Sequence, residues 1–204
     1  STGSVQFKQK RMKDSGVSWI GEIQEGWEVR KLKWIMSNIC SGDGITNGEL
    51  SLGGSIPVYG GNGILGYCNR VNSSGNVLII GRVGAKCGNV HLVCEDIWIS
   101  DNALMAKTKQ NYKYYEYLLE SMNLNQYSSQ NAQPLITGSL LKKLFIPLPP
   151  LLEQKAIAEY LDRETATIDS LVTKIERQIE LLNEYRQSLI THAVTGKIDV
   201  REAV

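Results

Sequence analysis

The sequence predicts an α+β protein in two parts: a mostly β globular domain at residues 1–148, and a long coiled-coil-forming α-helix within residues 149–204. Three observations lead to this prediction. Of the 19 glycines, only Gly196 lies beyond Pro147. Prolines at 147, 149 and 150 mark the boundary, because proline disfavours helix at its own position and at the residue before it. Beyond Pro150, apolar residues recur every seven positions, as in a coiled coil.

In the globular domain, short apolar segments alternate with clusters of Gly, Asn and Ser, a pattern typical of strands joined by tight turns. The segments are SIPVY, NVLIIGRV and NVHLVCEDIWI. Two other stretches have helical spacing, WEVRKLKWIMSNI near the start and YKYYEYLLESM at 112–122. We therefore expect strands in the three segments and a helix in each of the other two stretches.

The C-terminal part predicts a single helix from about Leu152 to His192 that stops near Gly196, since glycine commonly ends helices. About 40 residues at 1.5 Å each give a rod about 60 Å long. One face of this helix carries an apolar heptad seam of Leu161, Ile168, Val172, Ile175, Ile179, Leu182 and Leu189. We interpret the seam as a surface for pairing with a second long helix. The alternative is a helix folded back on its own domain.

Composition and charge exclude several classes of protein. The chain is 42% hydrophobic and 21% charged, which is ordinary for a globular protein. It contains no apolar run near the roughly 20 residues that a membrane span requires. The N-terminus contains no apolar leader segment, and the four cysteines are then expected to be reduced thiols in the cytoplasm.

The charges are divided unevenly along the chain. Residues 1–146 carry 15 Lys and Arg against 11 Asp and Glu, whereas residues 147–204 carry 7 against 10. A basic first part on an acidic second part indicates a polyanionic partner for the first part alone.

Gly61, Gly63 and Gly66 have the G-x-G-x-x-G spacing that holds a dinucleotide pyrophosphate. That motif functions where it opens a helix and is followed about 20 residues later by an acidic residue. Here the following residues, YCNRVNSSGN, predict a turn, and the residue 20 positions beyond Gly66 is Lys86. The segment GRVGAKCG likewise lacks the full phosphate-loop spacing. We therefore expect no nucleotide cofactor.

Cys87, His91 and Cys94 raise the question of a zinc site. In a strand, His91 and Cys94 would point to opposite faces, so we interpret the cysteines as core thiols beside a partly exposed histidine. The sequence also contains no evident catalytic arrangement of Ser, His and Asp, no paired catalytic carboxylates and no methyltransferase Asn/Asp-Pro-Pro-aromatic motif. We expect a binding protein, with no catalytic residue, no cofactor and no metal.

The two glycine-rich segments carry polar side chains suited to DNA. Asn can pair with adenine and Arg with guanine in the major groove, while Lys neutralises phosphates. The candidate DNA-binding residues beside the glycine turns are Tyr59, Asn62, Arg70, Arg82 and Lys86, and further candidates for phosphate contacts are Lys10, Arg11 and Lys13. The alternative is that the segments are two hairpins whose glycines are structural, with Arg82 structural as well.

The combination of segments resembles the specificity subunit of type I restriction-modification systems, from about Asp14 to Arg201. The most specific stretch is IPLPPLLEQKAIAEYLD, at the end of the similar segment QPLITGSLLKKLFIPLPPLLEQKAIAEYLD, because the prolines, the helix start and the heptads follow one another in order. The other similar segments are DSGVSWIGEIQEGWEVRKLK, IPVYGGNGILGY, VLIIGRVGAKCGNV, ISDNALMAK and THAVTGKIDVR.

The resemblance implies a target recognition domain that reads one half of a split DNA sequence, followed by a helix from the family's spacer region. Complete members hold two such units with antiparallel paired helices, and their catalysis resides in separate methyltransferase and restriction subunits. This sequence holds one unit, so we expect a half-subunit that forms a homodimer and reads an interrupted palindrome. The alternatives are an autonomous DNA-binding regulator dimerised by its helix, and an enzyme that uses a nucleotide in the glycine loop.

Overall fold

The computed structural model describes residues 11–50, 53–129 and 134–200. Along the chain, the strands are β1 (Met12–Asp14), β2 (Glu22–Gln24), β3 (Glu28–Lys31), β4 (Met36–Ser41), β5 (Ile56–Gly60), β6 (Gly63–Cys68), β7 (Val77–Gly81), β8 (Val90–Val93), β9 (Trp98–Ile99), β10 (Ala103–Thr108) and β11 (Phe145–Leu148). The helices are α1 (Tyr112–Ser121), α2 (Gly138–Leu141) and α3 (Leu151–Val194), and short 3-10 helices span Leu32–Trp34 and Leu124–Tyr127.

The strands form two sheets and two ribbons. Strands β4-β10-β7-β8 make an antiparallel sheet, and β6-β5-β9 make a second sheet in which β5 and β9 run parallel. Strand β1 pairs with β2, and β3 pairs with β11. The predicted segments SIPVY, NVLIIGRV and NVHLVCEDIWI all contain strands, so this part of the sequence prediction is confirmed.

Strand β7 is central because it is buried on both faces. Leu78 and Ile80 face one core, which α1 also covers, while Val77 and Ile79 face a second core. Side chains alternate between the faces of a strand, so a continuous apolar run is what a doubly covered strand requires.

The predicted helix in YKYYEYLLESM is confirmed as α1. Its N-terminus is capped by Asn111, whose side-chain oxygen accepts a hydrogen bond from the Tyr114 N–H at 2.9 Å. Tyr114, Tyr115, Leu118 and Leu119 are buried at the spacing of one helical face. Burial raises the pKa of the Tyr114 and Tyr115 phenols well above the ordinary range.

The predicted helix in WEVRKLKWIMSNI is wrong, because the stretch forms β3, a 3-10 turn and most of β4. Leu32, Met36 and Ile39 are buried at intervals of four and three, which imitates a helix. The interval arises instead from the 3-10 turn and from Asn38, whose φ of 53° interrupts the alternation in β4. Pairing of β3 with β11 and of β4 with β10 decides the conformation.

Helix α3 begins one residue before the predicted Leu152 and ends two residues after the predicted His192. At its end Gly196 has a φ of +71°, its N–H donates to the Ala193 carbonyl at 3.2 Å, and the Lys197 N–H donates to the His192 carbonyl at 2.8 Å. This is a Schellman cap, which needs a left-handed residue. The predicted stop at Gly196 is therefore confirmed.

The chain divides into two compact units after Ala158, so the first turns of α3 belong to the globular unit. There, the buried Gln154 side-chain amide donates to the Gln110 oxygen at 2.7 Å and to the Pro149 carbonyl at 2.9 Å. Trp27 donates its indole N–H to Glu153 at 2.9 Å. No helix among the described residues is both long and apolar enough to traverse a membrane.

Candidate nucleic-acid interface

The glycine-rich segments form two turns that pack against each other. Gly61 and Asn62 connect β5 to β6, where Gly60 pairs with Gly63. A Cβ on Gly61 would lie 3.0 Å from the Asn102 carbonyl oxygen, and a Cβ on Gly81 would collide with the Gly61 carbonyl oxygen. The backbones of the two turns therefore approach more closely than a side chain allows, which gives these glycines a structural explanation.

Three of the candidate DNA-binding residues come together at these turns. Asn62 is exposed and its side-chain oxygen accepts a hydrogen bond from Asn89 at 3.4 Å. Arg82 directly follows Gly81, and the exposed Lys86 lies on the loop to β8. Among the described residues, the Lys86 ammonium has no ion pair. This juxtaposition presents one amide and one free cation to solvent.

Arg82 is anchored to the domain at three points. Its guanidinium donates to the Asp101 carbonyl at 2.9 Å, its backbone N–H donates to the Asn102 carbonyl at 3.0 Å, and its carbonyl accepts from the Ile136 N–H at 2.9 Å. These contacts support the alternative of a structural arginine, although the guanidinium retains donors for a base edge.

Tyr59 lies on β5 and packs, half-buried, against the second core. Burial raises the pKa of its phenol, with smaller contributions from the negative charge of Glu95 and from Tyr67. A carboxylate near this ring makes its surroundings less favourable to phosphate than those of Lys86.

Arg70 is placed away from the glycine turns, beyond the far end of β6. A six-residue strand separates the two ends by about 20 Å at 3.3 Å per residue. The Arg70 guanidinium forms an ion pair with Glu49 and lies 4.3 Å from the centre of the Trp98 ring. Hydrogen bonds from Thr46, and then the charge of Arg70, lower the pKa of the Glu49 carboxyl. Arg70 therefore connects the 42–50 loop to the sheet that contains β5 and β9.

The remaining phosphate candidates lie on a separate ribbon. Arg11 and Lys13 are exposed at β1, which pairs only with β2 among the described strands. Lys10 lies outside the described residues. The structure therefore does not join the basic N-terminal segment to the glycine turns within one sheet.

A second group of exposed lysines, none of them among the predicted DNA contacts, lies at the end of the β3–β11 ribbon and includes Lys33 and Lys143. The short basic runs RKLK and LKK were the signal in the sequence that could have indicated this group. Their convergence depends on the pairing of two segments more than 100 residues apart, which periodicity does not reveal.

Cys87 and His91 line a cleft of about 400 Å³ between the β7–β8 loop and the end of α1, together with Glu120. Burial raises the pKa of the Glu120 carboxyl, as does the neighbouring Glu116.

Cys87 is buried as expected, but Cys94 is exposed, so the interpretation of both as core thiols is wrong for Cys94. Cys94 directly follows the end of β8 at Val93, where the chain is no longer held against the core by strand pairing. No group of three potential metal ligands converges in the described part of the chain.

The second unit exposes its heptad seam. Within residues 159–200, Ile175 and Leu182 have 54% and 66% of their surfaces exposed, and Leu161 is half-buried. The other exposed seam residues are Ile168, Val172, Ile179 and Leu189. A continuous apolar seam of this kind on an exposed helix is typical of an association surface.

Comparisons with known proteins agree on one family. The sequence profile of the type I restriction modification DNA specificity domain matches residues 24–181. The type I restriction enzyme EcoprrI specificity subunit of Escherichia coli is 35% identical over 123 residues, which cover 59% of this chain and 30% of that protein. The putative type I restriction enzyme MjaX specificity subunit of Methanocaldococcus jannaschii is 30% identical over 208 residues, covering 86% and 47%.

Solved structures share the fold. The S subunit of a type I restriction-modification system from M. genitalium superposes with a TM-score of 0.62 at 21% identity, covering 81% of this chain and 46% of that one. A chain from a study of the assembly and conformational transition of the type I R-M system superposes with a TM-score of 0.69 at 22% identity, covering 84% and 46%.

These similarities confirm the predicted fold class, a mostly β domain followed by a long helix. The chain spans about half the length, or less, of the relatives that it matches. Because the profile covers most of the sequence, the chain belongs to the type I restriction-modification DNA specificity family.

Proposed function

We propose that this chain is a non-catalytic specificity component that binds one half of a bipartite double-stranded DNA target and recruits methyltransferase and restriction subunits. Residues 1–148 form its target recognition domain, and residues 149–204 form the dimerisation and spacer region. Membership of the specificity family supports this role. The exposed Lys86 and the amide of Asn62 at the glycine turns provide a phosphate contact and a base-reading group.

The observation that carries the proposal is the exposed heptad seam of α3. The seam has no cover within its own unit, and burying each large apolar side chain contributes roughly 1.5–3 kcal/mol before ordering costs. Seven seam residues from each of two chains therefore support a homodimer through antiparallel helices.

A two-fold symmetric dimer presents identical domains to DNA in inverted orientation. The target is then an interrupted palindrome: a few specified bases, an unspecified gap and the inverted complement. The paired helices set the gap, and the methyltransferase subunits modify one adenine in each half.

The test is methylome sequencing of cells that express this chain with its cognate methyltransferase subunits. Symmetric half-sites around a fixed gap are expected. Two different half-sites, with this chain as the sole specificity component, would refute the symmetric dimer.

A variant of the helix sharpens the test. Seven residues inserted near Gln178 preserve the heptad register and lengthen the helix by about 10 Å, or about three base pairs at roughly 3.4 Å each. The gap should lengthen while the half-site sequence stays the same. The matched control is the same insertion after Asp199, beyond the end of α3, which should leave the gap unchanged.

A further inference from the structure

Basic and aromatic side chains converge where the β3–β11 ribbon ends. The Leu32 N–H donates to the Leu144 carbonyl at 2.8 Å, and Lys31 pairs with Phe145 in the ribbon. Lys31 and Lys33 flank Leu32 in the sequence, and Lys143 and Phe145 flank Leu144. The hydrogen bond between Leu32 and Leu144 therefore brings these four flanking residues together. With Trp34 and Lys109, these residues form what we call the lysine patch: Lys31, Lys33, Trp34, Lys109, Lys143 and Phe145.

Two shallow grooves border the lysine patch, and neither is lined by a carboxylate among the described residues. Lys33, Trp34 and Lys109 line one groove, and Lys143 and Phe145 line the other. Three other cations of the globular unit have carboxylate partners: Arg30 pairs with Glu28, Arg70 with Glu49 and Lys113 with Glu116. The patch therefore concentrates positive charge that no described carboxylate pairs with, which favours an anionic partner.

The aromatic rings of the patch hold two of these lysines at the surface. The Lys33 ammonium lies 4.7 Å from the centre of the Trp34 ring, and the Lys31 ammonium lies 5.2 Å from the centre of the Phe145 ring. Both rings are exposed, Trp34 by 72% and Phe145 by 41%. Such cation–π contacts orient the ammonium groups while leaving them accessible.

The patch lies within reach of the glycine turns along the chain. Ile136 is hydrogen-bonded to Arg82, and Lys143 follows Ile136 by seven residues, which span at most about 25 Å. One turn of DNA is about 34–36 Å long. The patch and the glycine turns therefore lie closer together than the length of one DNA turn.

We propose that the lysine patch is a sequence-independent binding surface for the phosphate backbone of duplex DNA. This inference rests on the proposed function and adds to it a second contact surface that reads no bases. Lysines suit this role as point charges that contact phosphates without distinguishing base edges. Lysine is depleted at protein interfaces, so the four lysines of the patch favour nucleic acid over the surface of a partner subunit.

The test compares two variants of the full chain in complex with its methyltransferase subunits. Lys33→Gln with Lys143→Gln removes one lysine from each groove. The control, Arg30→Gln with Lys113→Gln, also removes two positive charges, but from groups already paired with Glu28 and Glu116. DNA-binding affinity is measured as a function of salt concentration on two duplexes. One carries the target sequence identified by methylome sequencing, and the other has a random sequence.

The patch variant is expected to bind both duplexes more weakly by the same factor, roughly eightfold for each lost contact at about 0.1 M salt. Its slope of log affinity against log salt should fall by about 1.8, since each phosphate contact contributes about 0.9. The control slope should change far less. Lys33→Arg with Lys143→Arg should restore the slope, which separates loss of charge from misfolding.

Equal slopes for the patch and control variants would overturn the patch while leaving the proposed function intact. A wild-type complex that does not prefer the methylated sequence would instead overturn the proposed function. A patch variant that loses its methyltransferase subunits with an unchanged slope would identify a protein contact, and so would also overturn the inference.

Discussion

The globular unit and the helical unit treat apolar side chains in opposite ways. In the globular unit, Leu78, Ile80 and Leu119 are fully buried by neighbours from the same chain. In the helical unit, Ile175 and Leu182 are as apolar and remain exposed. The first unit buries a core of its own, whereas the second leaves its apolar seam exposed. We infer that folding depends mainly on the first unit and assembly on the second.

The largest effect should come from charging the seam. Ile175→Asp with Leu182→Asp places carboxylates in what we propose to be the apolar helix interface, where burying an unpaired charge is very costly. The variant should be monomeric by light scattering at concentrations where the wild type is dimeric.

The matched control is Thr173→Asp with Gln187→Asp, which adds the same charges at exposed positions off the seam. It should remain dimeric. A wild-type chain that is already monomeric at high micromolar concentration would contradict the dimer.

The next largest effect should come from truncating the globular core. Leu119→Ala removes a fully buried side chain from the face of α1 and should lower the free energy of unfolding by about 2–5 kcal/mol. Leu181→Ala makes the same truncation at an exposed helical position off the seam and should change it by less than about 0.5 kcal/mol.

Chemical denaturation at several protein concentrations measures both variants. The Leu119→Ala loss should be independent of concentration, because the core is covered by its own chain. A concentration-dependent loss would mean that the globular unit also relies on a partner.

A glycine exchange probes the close packing of the two turns. Gly81→Ala places a methyl group against the backbone of Gly61 and should destabilise the globular unit by about 1–3 kcal/mol. Gly26→Ala, where nothing lies within 4 Å of the added methyl group, is the control. Equal thermal midpoints for the two variants would show that the turns are not tightly packed.

Arg82 distinguishes base reading from anchoring. Arg82→Ala is expected to relax sequence choice, costing about 1–3 kcal/mol on the specific site only. Arg177→Ala, on the helix and paired with Glu180, is the control. A lower unfolding midpoint with unchanged sequence choice would assign Arg82 to its contact with Asp101 alone.

The smallest effect should come from Lys86. Lys86→Ala should weaken binding to every duplex and reduce the salt slope by about 0.9, the contribution of one phosphate contact. Lys174→Ala removes an equal charge from the exposed helix surface and should leave the slope unchanged. An unchanged slope for Lys86→Ala would show that Lys86 makes no phosphate contact, and an equal reduction in both variants would show that DNA contact is not confined to the globular unit.

The sequence determined the features that depend on local chemistry. Heptad spacing and the glycine cap predicted α3 to within two residues at each end, because helix periodicity and termination are properties of neighbouring residues. The apolar run in NVLIIGRV predicted strand β7, and the segments shared with the specificity family identified the family.

Tertiary structure decided what depends on residues distant in sequence. The spacing of Leu32, Met36 and Ile39 in the sequence resembles that of one helical face. Pairing of β4 with β10 and of β3 with β11 instead makes most of the stretch extended. Arg70 was indistinguishable from a DNA contact until the fold placed Glu49 and Trp98 against it. Lys33 and Lys143 became one surface only through the β3–β11 ribbon. Side-chain chemistry is encoded locally, but which charges meet a partner is fixed by pairing across the chain.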